Sequence, residues 1–544
     1  MPNVRCDGVS MNVVEIVIGL VLVAVVLSII AQYLRIPYPT LMVLGGLGLG
    51  FVPGLPHIEI PPEITFLVFI PPLVYLVATQ FGLRDLRSHM WPIFRLSIGL
   101  VIITIFCVAG IAHWGLDGFS WSTAFVLAAI IAPTDTAAIA AITNRIQIPR
   151  RVERILEGES LFNDVVALVA YQQAIRATVS GTFSVAAVGE HLLWAAFGGI
   201  TIGLTVGMLV TWARHRVHDT GVNTATSLLT PFASYLAADY VGASGVLATV
   251  ATGLYVGHVL LSSLRPEERL QTFSFWVGIR FILEGLAFVL IGFQLRSVIT
   301  ELTFIPALEL LADGLLTCLA TILLRILWVA VWTALPVMFL QRRSTMVVRP
   351  AWGQAFLLAW SGMRGVDSLA AALAVPLVLA DGVTPFPQRS LILFLSFCVI
   401  LTTLVLQGMT IPALIRRIGF PFEDGVRREV TEIRLAAAEA ALARLDELAN
   451  ERNVPSATYE HLKKSYELHM HRYQSRLGLL ENTEFDAGLD HACDLIWELL
   501  QVERQTVSEM RAKALVSNEA LQQVERALDY EELKILSDGS ACAN

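Results

Sequence analysis

Four short stretches of this chain place ionisable or hydrogen-bonding side chains inside long apolar runs. The stretch 132-APTDTAAIAAI-142 carries Thr134 and Asp135 beside Pro133, and 158-GESLFNDVVALVAYQQA-174 carries Glu159, Ser160, Asn163 and Asp164. Two arginines follow in later runs: Arg325 in 319-LATILLRILWVAVW-332, and Arg364, flanked by Gly362 and Gly365, in 360-WSGMRGVDSLAAALAVP-376. An ionised side chain at the centre of a bilayer costs roughly 2.5–3.5 kcal/mol even on a lenient insertion scale, so each of these groups needs a partner or a task. Side chains four apart share one helix face, which pairs Ser160 with Asp164 and Glu159 with Asn163. A glutamate and an aspartate so placed invite either a cation or an arginine partner.

Arg325 lies deep in its run and requires a buried anion, for which Glu159 is the candidate. Such a pair can simply lock two helices together. That leaves Asp164 with no spare cation: it is either an acid satisfied by hydrogen bonds or a group kept free for chemistry. Pro133 lacks a donor and clashes with the preceding turn, so its helix should unwind there, with Thr134 and Asp135 beside freed carbonyls. Gly362 and Gly365 weaken a second helix around Arg364, whose charge suits half-helix carbonyls. Glu15 falls near a membrane end, and Glu284 has Arg280 one turn earlier as its natural partner.

The elements that must carry these residues follow from composition. Hydrophobic residues make up 55% of the 544, and the mean hydropathy is +0.65, which excludes an ordinary soluble enzyme. Runs of about 20 apolar residues, enough to cross a bilayer, recur between Asn12 and Arg416. We read about thirteen membrane helices, the fifth over 121–143, the sixth over 158–178, the eleventh over 303–338 and the twelfth over 353–379. Alternate loops are rich in arginine, from Arg84 and Arg87 through Arg150, Arg151 and Arg154 to Arg416 and Arg417, whereas the opposite loops hold only Arg5, Arg296 and Arg389. The positive-inside rule then puts the N-terminus outside and the C-terminal tail in the cytoplasm. Breaks in helices five and twelve occupy matching places if helices one to six and eight to thirteen are two repeats. The offset of seven is odd, so the repeats are inverted, an arrangement shared by many secondary transporters.

A compositional boundary divides the chain into residues 1–419, a transmembrane domain, and 420–544, a cytoplasmic tail. The tail carries a net charge of −10 and the remainder +2, so the overall −8 gives no hint of nucleic-acid binding. Leu and Ala at helical spacing in 432-EIRLAAAEAALARLDELANER-452 predict soluble helices there, forming a small bundle or a regulatory tail. The six cysteines, at 6, 107, 318, 398, 493 and 542, have no metal-knuckle or disulfide spacing and read as free thiols. The N-terminus lacks the pattern of a cleaved signal peptide, so the first apolar run reads as a retained helix.

Taken in order and spacing, PTDTAAIAA, EGESLFNDVVALV and WSGMRGVDSLAAALAVP resemble the broken fifth, intact sixth and broken twelfth helices of the bacterial, NhaP-type sodium/proton antiporters of the cation:proton antiporter-1 family. GASGVLATVATGL at 242–254, FVLIGFQL at 288–295 and LVLQGMTIP at 404–412 add to the likeness, which covers residues 12–417. The resemblance implies an all-α homodimer in the bacterial plasma (inner) membrane, with a dimerisation domain and a mobile six-helix core. It implies exchange of Na+ (or Li+) for H+ by alternating access, serving pH and sodium homeostasis, with no cofactor and no enzymatic activity. Asp164 would alternately hold a proton or Na+; Thr134, Asp135, Ser160 and Asn163 would shape the site; Asp164, Ser160 and Thr134 would ligate the Na+. Glu159 would pair with Arg325, and Pro133, Gly362, Gly365 and Arg364 would support the helix breaks. Asn163 before Asp164 fits the electroneutral branch. Three departures stand out: Leu76 in 71-PPLVYLVAT-79 where the family often has Glu, Thr136 in place of Pro after the TD pair, and Asp367 as an added acid.

Two other readings compete. K+/H+ exchange is the near alternative, and a non-transporting membrane sensor acting through its tail is the alternative of another class. An intramembrane hydrolase is disfavoured, since no Ser/His pair, HExxH or GxGD-type acid pair occurs in the apolar runs.

Overall fold

The computed structural model describes residues 13–34, 36–52, 62–135, 148–181, 185–217, 219–260, 266–302, 305–341, 352–381, 383–419, 425–452, 455–477 and 479, with parts of 498–532. Every regular element among them is helical; the only strand-like feature there is an isolated bridge between Val378 and Pro385. The chain divides into two compact units, Met1–Pro421 and Phe422–Asn544.

The first unit opens with α1 (Val13–Leu34), α2 (Tyr38–Gly50) and α3 (Pro62–Gln80). Next come α4 (Leu83–Phe94), a π-helical stretch (Arg95–Leu100) and α5 (Val101–Gly115), then α6 (Trp121–Ile131). The sequence continues through α7 (Arg150–Ser180), α8 (Val185–Arg214), α9 (Thr220–Tyr240), α10 (Gly245–Leu260), α11 (Pro266–Glu301) and α12 (Ala307–Gln341). It closes with α13 (Trp352–Trp360), α14 (Val366–Leu373), α15 (Arg389–Thr402), a second π-helical stretch (Thr403–Gln407) and α16 (Gly408–Ile418).

Six helices among the described residues are long and apolar enough to cross a membrane, among them Glu15–Leu34, Leu193–Arg214 and Ala307–Ala334. Their outward residues are large and apolar, for example Ile18, Leu22, Phe197, Leu209, Leu311 and Leu323, all exposed. Such a largely apolar exterior suits lipid rather than water. The long α7 is absent from that group because its own polar residues lower its hydropathy. It also begins at Arg150, eight residues before the expected start. Arg150, Arg151 and Arg154, read from sequence as loop residues, form its first turns, with Pro149 before them and Gly181 ending it at φ 67°.

The two breaks fall where proline and glycine stand. α6 stops at Ile131, and Ala132–Asp135 leave the helix around Pro133; Thr136 and the rest of the expected fifth span, 136–143, lie outside the described residues. Ser361–Gly365 separate α13 from α14. Elsewhere small residues let helices approach closely. A side chain at Gly46 of α2 would strike the Val289 carbonyl of α11, and one at Gly203 of α8 would strike the Ala248 carbonyl of α10. The main core gathers Leu127, Ile130 and Ile131 of α6 with Phe288 and Ile291 of α11 and Ile392, Leu395 and Ile400 of α15. Cys107, Cys318 and Cys398 are free thiols.

In the second unit, α17 (Gly425–Arg452) and α18 (Ser456–Arg476) pack on each other, joined by Tyr459 Oη donating to Asp446 Oδ1 at 2.7 Å. Further helical residues occur within 498–507, where Arg504 pairs with Asp529 and Glu532.

Candidate functional site

The two breaks face each other, and each satisfies the backbone groups the other exposes. A helix end leaves carbonyls and amides without partners, which is expensive away from water. Arg364, in the second break, sends Nε to the carbonyl of Ile131, the last residue of α6, at 3.0 Å, and Nη1 to Gly362 O. Its own amide donates to Thr403 Oγ1 at 3.1 Å, in the second π-helical stretch. In return Asp135, from the first break, donates its amide to Met363 O at 2.8 Å and accepts the Val366 amide on Oδ2 at 3.1 Å. Its carboxylate thus sits at the N-terminus of α14, where a negative charge is favoured.

This contact leaves no room for a side chain at Gly365, since a Cβ there would run into the Asp135 carboxylate. Gly365→Ala should therefore uncouple the two breaks, at about 1–3 kcal/mol for the displaced hydrogen bonds. The expected result is a lower melting temperature in detergent, together with weakened transport. Gly48→Ala, where the added methyl meets nothing, should leave both unchanged.

Beside the breaks lies a saturated ion pair. Glu159 and Arg325 are each 1% exposed and meet as a fork: Nη2 donates to Oε2 at 2.8 Å, and Nη1 pairs with Oε1. Arg325 also covers Leu358 O, freed by the end of α13, through Nε at 3.2 Å and Nη2 at 3.0 Å. A side chain at Gly362 would collide with this guanidinium. Thr134 Oγ1 donates to Glu159 Oε1 at 3.0 Å, and Asn163 Nδ2 donates to both Thr134 O and Thr134 Oγ1 at 3.0 Å. Glu159, Asn163, Thr134 and Arg325 are therefore one network, its charges matched internally.

Asp164, on another face of α7, stands apart. Among the described residues no arginine or lysine pairs with it, and its buried Oδ1 has no hydrogen-bond partner. It lies within hydrogen-bonding reach of one side chain, Asp367 on the first turn of α14. Both acids line two pockets. The first, about 30 Å³, is bounded by Ser160, Asp164, Asp135, Asp367, Arg280 and Glu284 together with apolar residues of α3. The second, about 20 Å³, lies further along α7, between Asp164, Ala167, Tyr171, Pro133, Asp367 and Ala371. Each can hold a water-sized guest.

Of the expected site residues, the structure brings Asp164, Ser160 and Asp135 to the first pocket and places Thr134 and Asn163 in the network behind it. Two participants were not foreseen as such. Asp367 stands out in sequence only as an acid inside an apolar half-helix, and nothing in the spacing aims it at Asp164. Glu284 pairs with Arg280 at 2.6 Å as its spacing suggests, but Tyr38 Oη also donates to Glu284 Oε2 at 2.6 Å across 246 residues.

Residues 20–417 match the family described as sodium/hydrogen exchanger, transmembrane. The chain is 34% identical over 550 residues to an uncharacterized Na(+)/H(+) exchanger of Mycobacterium tuberculosis, covering 98% of each chain. It is 35% identical over 421 residues to the sodium, potassium, lithium and rubidium/H(+) antiporter of Bacillus subtilis, covering 74% of this chain and 62% of that one. The fold is similar to that of the sodium proton antiporter MjNhaP1 from Methanocaldococcus jannaschii at pH 8, with a TM-score of 0.57 and 21% identity over 75% of this chain and 99% of that one.

Proposed function

The chain belongs to the sodium/hydrogen exchanger family, and from that premise we propose that it exchanges Na+ or Li+ for H+ electroneutrally, with Asp164 as the exchanging group. The observation that carries this reading is the position of Asp164. It is a buried acid with no arginine or lysine paired to it among the described residues, set between two pockets at the crossing of two broken helices, while its neighbour Glu159 is fully paired. A carboxylate in such a place must be neutralised, by a proton or by a cation. Occupancy by one excludes the other, and that competition couples the two fluxes.

The two pockets suggest the route. They meet the same acid at different levels of α7, Ser160 marking one and Tyr171 the other. Alternating access follows if one pocket widens towards its side of the membrane as the other closes. The site loaded with a proton or a cation can move between the two states, whereas the empty site, with one more bare charge, is held back by its desolvation cost. Ser160 and Asp135 supply further oxygen ligands from the first pocket, and Thr134 acts through Asn163 and Glu159.

The same reading takes residues 1–419 as the transport domain, with about thirteen spans in two inverted repeats; the paired breaks support that symmetry. It places the protein as a homodimer in the bacterial plasma membrane, N-terminus outside and tail inside, serving pH and sodium homeostasis. Residues 420–544 form a cytoplasmic regulatory tail. Broad monovalent selectivity, K+ included, is the second reading, favoured by the name of the Bacillus subtilis relative.

Reconstitution into liposomes with an internal pH dye separates these readings. Addition of Na+ or Li+ outside should raise the internal pH, and a comparable response to K+ selects the broader exchange. A chain truncated after residue 419 should keep exchange with altered regulation. Complete loss in a truncated protein that still inserts and folds would instead point to a sensor working through its tail.

A further inference from the structure

We infer that Asp367 is a second ion-binding carboxylate, and that it and Asp164 hold one proton between them and give it up for one monovalent cation. The inference rests on the exchange reading above and extends it to a residue that reading does not need.

Three observations support it. The two carboxyl groups are within hydrogen-bonding reach of each other, from α7 and from the first turn of α14. Both line the first pocket and both line the second, so any ion passing Asp164 also passes Asp367. One buried oxygen of each, Oδ1, has no hydrogen-bond partner among the described residues, and Asp164 is 9% exposed. Two carboxylates in contact cannot both ionise unless a cation sits between them, and a single proton bridges them well.

Among the described residues no arginine or lysine is paired with either acid. From α7 the neighbouring ionisable groups are Tyr171 and Glu159, the latter fully occupied by Arg325. Asp135 faces the pair from the first break, its Oδ2 held by the Val366 amide. From α11 come Arg280 and Glu284, joined to each other. The contributions of α3 and α6 are apolar: Ile70, Leu73, Val74 and Val77, and Ala129. At the start of α15, Arg389 donates Nε to Val375 O.

The exchange balances. In the proton-loaded state Asp164–COOH donates to Asp367–COO⁻, and the pair carries one negative charge. When a cation M⁺ enters, the bridging proton leaves to solvent and both carboxylates ligate M⁺, again leaving one negative charge. One proton is traded for one cation with no change in the charge of the site, so electroneutrality is preserved with two acids as with one.

The test uses the full chain in proteoliposomes. Asp367→Asn removes one ligand charge and the like charge that helps retain the proton. Exchange should persist with an apparent KM for Na+ raised about tenfold or more, the effect of losing one close charge interaction. Its pH profile should move to lower pH by about one unit or more. Asp367→Glu should restore both towards wild type, which mere packing would not require. Loss of exchange in Asp367→Asn with recovery in Asp367→Glu is the stronger form of the same result. An Asp367→Asn protein with wild-type KM and pH profile overturns the inference, as does equal loss of exchange in both variants, which marks a packing role. If wild-type protein moves no protons in response to cations, the exchange reading itself has failed.

Discussion

Asp164→Asn should abolish cation-driven proton movement, to the level of empty liposomes, in a protein that folds as well as wild type. The amide keeps the size and polarity of the carboxyl group but can neither release a proton nor neutralise a cation. Among the described residues nothing else depends on the charge: no arginine or lysine is matched to Asp164, and its contact with Asp367 can be kept by an amide donor. Removing an ionisable group from a buried position should leave the melting temperature unchanged or raise it. Unfolding in detergent and transport in liposomes, measured on the same preparation, check the two halves together. Wild-type exchange in this variant would remove Asp164 from the mechanism.

Arg325→Ala should have the opposite signature, with stability lost first. It strips Glu159 of its fork partner and uncovers Leu358 O at the end of α13. An acid 1% exposed is then left with Thr134 as its side-chain donor among the described residues. Breaking one side of a buried ion pair typically costs about 3–5 kcal/mol, a large share of the stability of most proteins. Glu159→Ala should be comparably damaging, since it leaves the guanidinium unpaired. The informative variant is the double one, Glu159→Leu with Arg325→Met, which replaces the pair by apolar groups of similar volume. Such replacements are often neutral or better, so the double variant should recover much of the melting temperature lost in either single one. Single variants as stable as wild type would show that the pair does not hold these helices together.

These two acids, five residues apart on α7, show what could be read from the sequence and what could not. The sequence points Arg325 to Glu159 because a charge so deep in an apolar run has few places to go, and the anions of the sixth span are the nearest in kind. The breaks were legible because Pro133 removes a helix bond and Gly362 and Gly365 relax one. Their mutual satisfaction was only half visible. Arg364 was expected to serve helix-end carbonyls, but that the carbonyl belongs to Ile131, 233 residues earlier, depends on how the two breaks cross. The same holds for the contact between Asp164 and Asp367. α14 follows an irregular stretch, so its rotation relative to α7 is set by packing and not by any periodicity of residues. The early start of α7 was hidden for a different reason: RRVERILE mixes charges as a wet loop would, and only the structure shows it helical. The π-helical stretch at Thr403–Gln407, which brings Thr403 to the Arg364 amide, has no compositional signature.

The central claim is that one protein site couples cation and proton flux. Its most direct measurement is uptake of radiolabelled Na+ into wild-type proteoliposomes whose interior is more acidic than the outside, with no membrane potential imposed. The account predicts that Na+ accumulates inside as protons leave, and that accumulation stops when the pH gradient is collapsed by added ammonium. Na+ entry that is indifferent to the pH gradient, or no entry between roughly pH 6 and 9, would contradict it.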